Sequence, residues 1–520
     1  MALLRVVQHA AWGYGAADFL SAVETVRPEQ RIAVVIGAGL VSSVGLLLMR
    51  RAWPRDSSLS AAIWFHGGRL PFVRTVGHAV LSIVIVALGA SLGREGAPKD
   101  VGGAYASVLA DRFRLPTAQR RVLVACAAGA GLAAVYNVPL GGALFACEIL
   151  LGTLALPVVL PAFVASMVAT GVSWIALPMQ PTYSIPNLAS SWSLLAWAMA
   201  FGPAAGLSSV VYIRMLSWAQ GLKFVGQQTV FASLTVFTLL GVASTAFPQL
   251  LGNGKNVVQL AFTDNVAIRL LVALLVLKVL ATIGCVGTGA PGGLFTPTLT
   301  FGALLGGSLG HVWNSAWPIA LPGSYAVIGA SAVLAAATLG PVSAVVLVLE
   351  LTHHIEGLIV PLLLAVAGAT VTARLLHSRS LYSSNLHGDL SRECRDQSRA
   401  RTAFEGILSA DYLSISASKS VTHASDELLE SGCDRLYVVD EQRRLIGVAD
   451  RTAIDGAPLI PKEVSKAGDI ARPISAVHIG MHIEDVRALI QSENVRELPV
   501  LDESGRIIGV VKMPFFAPKA

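Results

Sequence analysis

Charge is scarce over the first three quarters of this 520-residue chain. Residues 1–390 hold 21 Lys+Arg and 12 Asp+Glu, whereas an ordinary soluble domain is about one quarter charged. With 54% hydrophobic residues and a mean hydropathy of +0.65, that poverty excludes a single soluble globular protein, and it excludes disorder. Cysteine is also sparse: Cys126, Cys147, Cys285, Cys394 and Cys433 are odd in number, scattered and never spaced as CxxC. A disulfide framework and a zinc site are thereby disfavoured. No HExxH, Walker-type loop or GxSxG occurs, so an intramembrane enzyme has no chemistry to point to, and no cofactor is expected. Met1–Ala10 lacks the apolar core of a cleavable signal. Residues 391–520, by contrast, hold 17 Lys+Arg and 20 Asp+Glu, the density of a water-soluble domain. The net charge of +6 divides as +9 and −3 between these parts. A basic excess at membrane-helix ends is ordinary topology bias, so no nucleic-acid partner is read from it.

A spanning helix needs about 20 apolar residues. Candidates are Ile32–Leu48, His78–Leu92, Val122–Val135, Leu140–Leu177, Leu194–Leu216, Val230–Leu251, Ile268–Val286, Leu299–Val312, Tyr325–Leu349 and Leu358–Leu376. Some are too short for one crossing and others too long, and Pro98, Pro139, Pro157, Pro161, Pro291, Pro297 and Pro341 interrupt them or their approaches. Broken helices are tolerated in a bilayer where their ends line a cavity inside protein, which points to a transporter or channel. Kinks alone would leave a receptor-like bundle open.

An internal repeat separates those two readings. Val135–Leu150 reads VYNVPLGGALFACEIL and Ala337–Thr352 reads ATLGPVSAVVLVLELT. Pro139 and Glu148 are nine apart, as are Pro341 and Glu350, and the copies are offset by 202. A Gly-rich break precedes each copy: Gly93-Arg-Glu-Gly-Ala-Pro98, 41 residues before Pro139, and Gly292-Gly-Leu-Phe-Thr-Pro297, 44 before Pro341. Matching interruptions in two halves mark a binding site at the repeat interface.

Each break opens an apolar stretch and so starts a helix, whose N-terminus presents unpaired N–H groups and the positive dipole end. Two such ends converging would hold a small anion without a full positive charge, which conduction needs because the ion must also escape. Glu95 lies within the first break. It is either a plain cap or a tethered anion that takes the substrate's place when ionised and leaves when protonated. Only Glu95, Glu148 and Glu350 are acids within or beside the apolar segments, and an intramembrane acid is a functional candidate by default. Glu148 and Glu350, at equal repeat positions, are equally well read as structural groups bonding backbone at a helix break.

Together these motifs resemble the CLC family of chloride channels and chloride/proton exchangers. Gly93–Pro98 is similar to the family's gating-glutamate motif, Gly293-Leu294-Phe295-Thr296-Pro297 to its GxFxP filter segment, and Leu381-Tyr382-Ser383 to the end of the last helix, whose tyrosine closes the inner side of the anion site. The match covers about residues 15–390. It implies an all-α polytopic membrane protein with inverted internal repeats and broken helices, and a homodimer with one chloride pathway per subunit. The anion site it implies comprises Arg94, Glu95, Gly96, Ala97, Gly293, Leu294, Phe295 and Tyr382. Without the family, Phe295 could be plain packing and Tyr382 an interfacial anchor; His353-His354 follow a helix end and read as solvated caps.

The chain departs from the family in three places. The serine-bearing Gly-Ser-Gly-Ile-Pro motif expected about 40 residues before Glu95 is absent; Trp53-Pro-Arg-Asp-Ser-Ser-Leu59 stands there, with Asp56, Ser57 or Ser58 as candidate inner contacts. The exchangers' second, proton-relaying glutamate aligns with Ile149, which cannot carry a proton. The chain begins inside what should be an early membrane helix, which leaves the natural start open. The first two departures resemble a bacterial branch described as voltage-gated chloride channels. The leading expectation is therefore a chloride channel gated by Glu95, in a bacterial inner membrane with its tail in the cytoplasm. The rivals are a chloride/proton exchanger of the same fold, with Glu148 or a water wire as relay; a divalent-cation transporter, which three isolated glutamates serve poorly; and a tethered sensor, which would have no use for paired breaks.

Residues 391–405 read as a polar, basic linker. Beyond them Arg435–Val448 and Glu497–Val510 repeat with a period of 62, each a buried strand, an acidic turn and a second strand. Helical stretches at Ala424–Ser431 and Ile483–Ser492 precede them. This small α/β tail, 406–520, resembles a tandem pair of cystathionine-β-synthase (CBS) domains at about 406–456 and 464–516. Many such pairs bind adenine nucleotides through G-x-x-T-x-x-D. Here Gly447 is followed by Asp450 and Ala453, and Gly509 by Lys512 and Phe515. Neither copy keeps the pattern, so a structural dimerisation role is at least as well supported as nucleotide binding.

Overall fold

Proline and glycine divide the apolar runs into helices in the computed structural model of the chain. It describes residues 2–382 and 408–512 apart from 14–17, 54–57, 187–189, 223, 225, 264–265, 319–320, 354–355, 410–411, 432, 434, 456–464, 479–488, 491–492, 494, 496 and 503. The chain forms two compact units, Met1–Gly388 and Asp389–Ala520. Within the first, six helices among the described residues are long and apolar enough to cross a membrane: Pro28–Ala52, Thr117–Tyr136, Leu156–Ser173, Trp192–Gly221, Gln227–Ala246 and Ile268–Gly287. Shorter apolar helices lie between and after them. On Leu156–Ser173 the large side chains Leu156, Leu160, Val164, Val168 and Val172 are exposed, a surface suited to lipid rather than water.

The over-long run Leu140–Leu177 is three pieces: an α-helix Pro139–Leu144, a π-helical segment Phe145–Leu151 and the helix Leu156–Ser173. The run Tyr325–Leu349 divides into Pro322–Thr338 and Pro341–Thr352. Proline belongs in a first helical turn, where its missing N–H costs nothing. Before each paired proline the preceding helix closes on a left-handed residue, Asn137 at φ 57° and Leu339 at φ 56°. A left-handed leucine costs roughly 1–2 kcal/mol, so the turn there is imposed by packing rather than by residue preference. His353 closes Pro341–Thr352 in the same left-handed way, and His354 lies outside the described residues.

The two glutamates of the repeat exchange partners. Glu350 accepts from the N–H of Leu140 at 2.9 Å and of Gly141 at 2.6 Å. Glu148 accepts from the N–H of Val342 at 3.2 Å, the N–H of Ser343 at 2.6 Å and the Ser343 hydroxyl at 2.6 Å. Each carboxylate thus satisfies the open N-terminus of the other copy's helix, groups that would otherwise stay unpaired in a bilayer. The exchange is the two-fold relation of an inverted repeat, written in hydrogen bonds.

A buried lysine holds the approach to the first break. Lys278 donates to the carbonyls of Leu250 at 2.7 Å and Gly252 at 2.8 Å, and the Gly252 N–H donates to the Gly89 carbonyl at 3.0 Å. Ser91 and Thr282 share a hydroxyl contact of 3.3 Å. The segment entering Gly93 is therefore pinned by the Ile268–Gly287 helix.

Among the described residues of the second unit, seven strands form two sheets: β1 (Leu408–Ser409), β2 (Ser414–Ser416), β3 (Arg435–Val439), β4 (Leu445–Asp450), β5 (Val477–His478), β6 (Glu497–Leu501) and β7 (Ile507–Lys512). One sheet has the order β1-β7-β6-β5 and the other β2-β3-β4. Antiparallel β3–β4 and β6–β7 share one register, with an irregularity at the same place in each, and β2 and β5 add in parallel. The acidic turns are equivalent too. Asp440 accepts from Gln442 and Arg444 N–H, and Asp502 from Ser504 and Arg506 N–H. The Ser504 hydroxyl and these backbone donors hold the Asp502 carboxyl below its usual range. The expected helix over Ala424–Ser431 runs Val421–Ser431; most of Ile483–Ser492, the linker 391–405 and Phe515 lie outside the described residues. Where a nucleotide pattern would place threonine, Asp450 instead accepts the Ala453 N–H at 2.7 Å, and Lys512 pairs with Glu497 at 3.7 Å.

Candidate anion site

Both interrupted helices start at one place. Gly96–Arg112 begins after Glu95, and Phe295–Ala316 begins after Leu294. Their lead-in residues form an antiparallel bridge: the Gly93 N–H donates to the Gly293 carbonyl at 2.7 Å, and the Gly293 N–H to the Gly93 carbonyl at 2.8 Å. The positive ends of two helix dipoles are thereby brought together. Glycine at both bridge positions leaves the room that the Glu95 carboxylate occupies. A Cβ on Gly93 would lie 1.9 Å from Glu95 Oε1, and one on Gly293 would lie 2.4 Å from the same atom.

Glu95 is 2% exposed. Its carboxylate makes no capping bond to its own helix. It reaches across the bridge instead, accepting from the Thr296 N–H at 3.1 Å, the Thr296 hydroxyl at 3.0 Å and the Tyr136 hydroxyl at 3.1 Å. The two hydroxyls are themselves 2.6 Å apart. The bonded N–H belongs to Thr296, the next residue after Leu294 and Phe295 at the start of the second helix. Sequence reasoning passed over Thr296 and Tyr136. Thr296 stood inside the quoted Gly293–Pro297 motif, a hydroxyl in the first turn of an apolar helix. Tyr136 carried a weaker sign, a phenol at the closing end of the helix before the Pro139 break.

The remaining candidates take distinct places. Gly96 packs so closely that a Cβ would lie 3.0 Å from the Gly293 nitrogen, and Ala97 is buried. The buried Phe295 ring lies 6.0 Å from that of Tyr136. The Arg94 guanidinium stands 5.6 Å from the Tyr136 ring centre. It lines a cavity of about 560 Å³, with Arg5, Lys255, Asp18 and Tyr136 also in the wall. Cations outnumber the acid there, which favours anion approach. Tyr382 packs edge-on against Phe145 at 5.2 Å. It is Tyr136 that gives Glu95 its phenolic hydrogen bond. Ser58 caps the Leu59–Trp64 helix, accepting from the Ala61 N–H at 3.2 Å; Asp56 and Ser57 lie outside the described residues. Ile149 is buried in the π-helical segment against Gly340. Beside it both oxygens of Glu148 accept from N–H groups of the Pro341–Thr352 helix.

A backbone N–H and two hydroxyls converging at paired helix ends make a cradle for one monovalent anion, and here a carboxylate fills it. The family model described as Voltage gated chloride channel matches residues 33–374, a span holding this cradle and both repeat copies. The chain belongs to the voltage gated chloride channel (CLC) family. Two CBS domains match at 405–457 and 467–513. This CLC chain is 33% identical over 359 residues to a putative chloride channel protein ClcB-like from Ralstonia nicotianae, covering 67% of this chain and 82% of that one. It is 30% identical over 387 residues to the H(+)/Cl(-) exchange transporter ClcA of Vibrio campbellii, covering 70% and 81%. Among solved structures, a slow cyanobacterial Cl-/H+ antiporter superposes with a TM-score of 0.67 at 22% identity, covering 75% of this chain and 93% of that one. A eukaryotic CLC transporter superposes at 0.61 and 18% identity, covering 98% and 93%. These last two establish the CLC fold alone.

Proposed function

We propose that this CLC protein exchanges chloride for protons across a membrane, with Glu95 as the gate. The observation that carries the reading is the Glu95 carboxylate, buried in a cradle of donors suited to a halide. Ionised, it occupies the anion's place. Protonated, it carries no charge to hold it against the helix ends, and chloride takes the Thr296 N–H and the two hydroxyls. When the carboxylate returns it expels chloride and gives up its proton, so one side chain couples both ions. The exchangers among the relatives support this reading over a channel. The channel reading keeps one observation in its favour, Ile149 at the place of a second proton-carrying glutamate. With Glu148 and Glu350 each bonded to separate helix ends, two of the three acids a divalent-cation site would need are already used. We place the protein as a homodimer in a bacterial inner membrane, its CBS tail in the cytoplasm, with a structural role for that tail.

The test is proton movement in sealed vesicles carrying the purified full chain, driven by a chloride gradient alone. Proton uptake that scales with chloride efflux is expected. Chloride flux without proton uptake would replace the exchanger with the channel, and the absence of both would overturn the anion pathway.

A further inference from the structure

One turn beyond the gate, the Gly96–Arg112 helix carries a second charged group. Lys99 follows Glu95 by four residues, which puts both on one helix face about 6 Å apart along the axis. The Lys99 side chain is only 15% exposed, in a segment where an unneutralised cation is costly. Among the described residues its ammonium meets two groups. It stands 4.9 Å from the centre of the Tyr382 ring, a cation–π distance, and 3.7 Å from Asp100 Oδ1. That second separation is well beyond the roughly 2.7–2.9 Å of a tight charge-assisted bond. An ammonium has three donors. The ring face and a loose carboxylate do not use all three donors, so the ammonium keeps capacity for a further anionic partner on the helix face it shares with Glu95.

We infer that Lys99 is a charged ligand for the anion one helical turn from the Glu95 cradle, and that Asp100 competes with the anion for its ammonium. This assigns the anion contact for which no serine motif is found in residues 53–59, and it rests on the reading of Glu95 as a chloride gate. A bare lysine would hold a halide too firmly for passage. A neighbouring carboxylate at 3.7 Å tempers it, so that chloride displaces Asp100 on arrival and is displaced by it on departure.

The experiment is equilibrium chloride titration of the purified full chain by calorimetry, which needs no transport. Lys99→Met should weaken chloride binding about tenfold, and Lys99→Arg, which keeps the charge, should stay within about threefold of the parent. Asp100→Asn should act in the opposite direction and tighten binding by about threefold. Opposite signs at adjacent residues separate a ligand pair from general damage. If Lys99→Met does not fold, Asp100→Asn decides alone: tighter binding supports the pair, and unchanged or weaker binding overturns it. Parental affinity in a folded Lys99→Met also overturns it. The gate reading fails separately, if Glu95→Gln binds chloride no better than the parent while the Lys99 and Asp100 effects persist.

Discussion

Glu95 is where a local sequence reading and the folded chain differ most usefully. A carboxylate beside a helix N-terminus reads as a cap of that helix, yet Glu95 bonds Thr296, 201 residues away. Glu95→Gln keeps the shape and removes the charge, so it should imitate the protonated gate. The lost interaction with the dipole ends is of the order of 0.3–2 kcal/mol per terminus. Chloride flux should then lose most of its rise toward low pH, and proton coupling should vanish; flux measured against pH in vesicles checks this. A well-folded Glu95→Gln with the parental pH profile would make Glu95 a structural anchor. Gly93→Ala tests the seat from the other side. Its Cβ would lie 1.9 Å from Glu95 Oε1, the mobile end of a flexible side chain, so the carboxylate must vacate the cradle. The expected result is the flux behaviour of Glu95→Gln with Glu95 still present. A pH profile like the parent's would show that the carboxylate has another stable position over the bridge.

At the scale of elements, the glutamates of the repeat are anchors for helix starts. Glu148→Gln and Glu350→Gln each replace charge-assisted bonds to a helix N-terminus, bonds worth about 1.5–3 kcal/mol apiece. Each variant should lower the thermal midpoint of the detergent-solubilised protein while leaving the pH dependence of flux unchanged. A shifted pH profile in a stable Glu148→Gln would bring Glu148 back into the proton route. Much at this scale was legible in the chain. Pro139 and Pro341 marked real helix starts, the Gly-rich breaks marked the two that meet, and the 202-residue offset marked the symmetry. The partner exchange was not legible, because nothing in either copy says that Glu148 bonds Ser343 rather than its own neighbours. Tyr136 escaped for the same reason. A hydroxyl joins a site by folding against it, and no spacing records a contact between residues 136 and 296.

For the whole molecule, charge density rises near residue 390, and the chain divides after Gly388 into two compact units. Within the tail the described strands pair with one another in two sheets of matched register. The cradle residues Gly93, Glu95, Tyr136, Gly293 and Thr296, together with Lys99 and Tyr382, all precede position 383. A chain ending at residue 404 should therefore insert, fold and carry chloride, with flux per protein within about threefold of the full chain, as expected where units have separate cores. Its pH dependence should be unchanged, since the group that sets it is Glu95. The measurement is chloride efflux from vesicles, normalised to folded protein by size-exclusion chromatography. Loss of flux from a correctly inserted truncation would make the CBS pair part of the conduction machinery. Retained flux with an altered pH profile would instead assign the pair a regulatory grip on the gate.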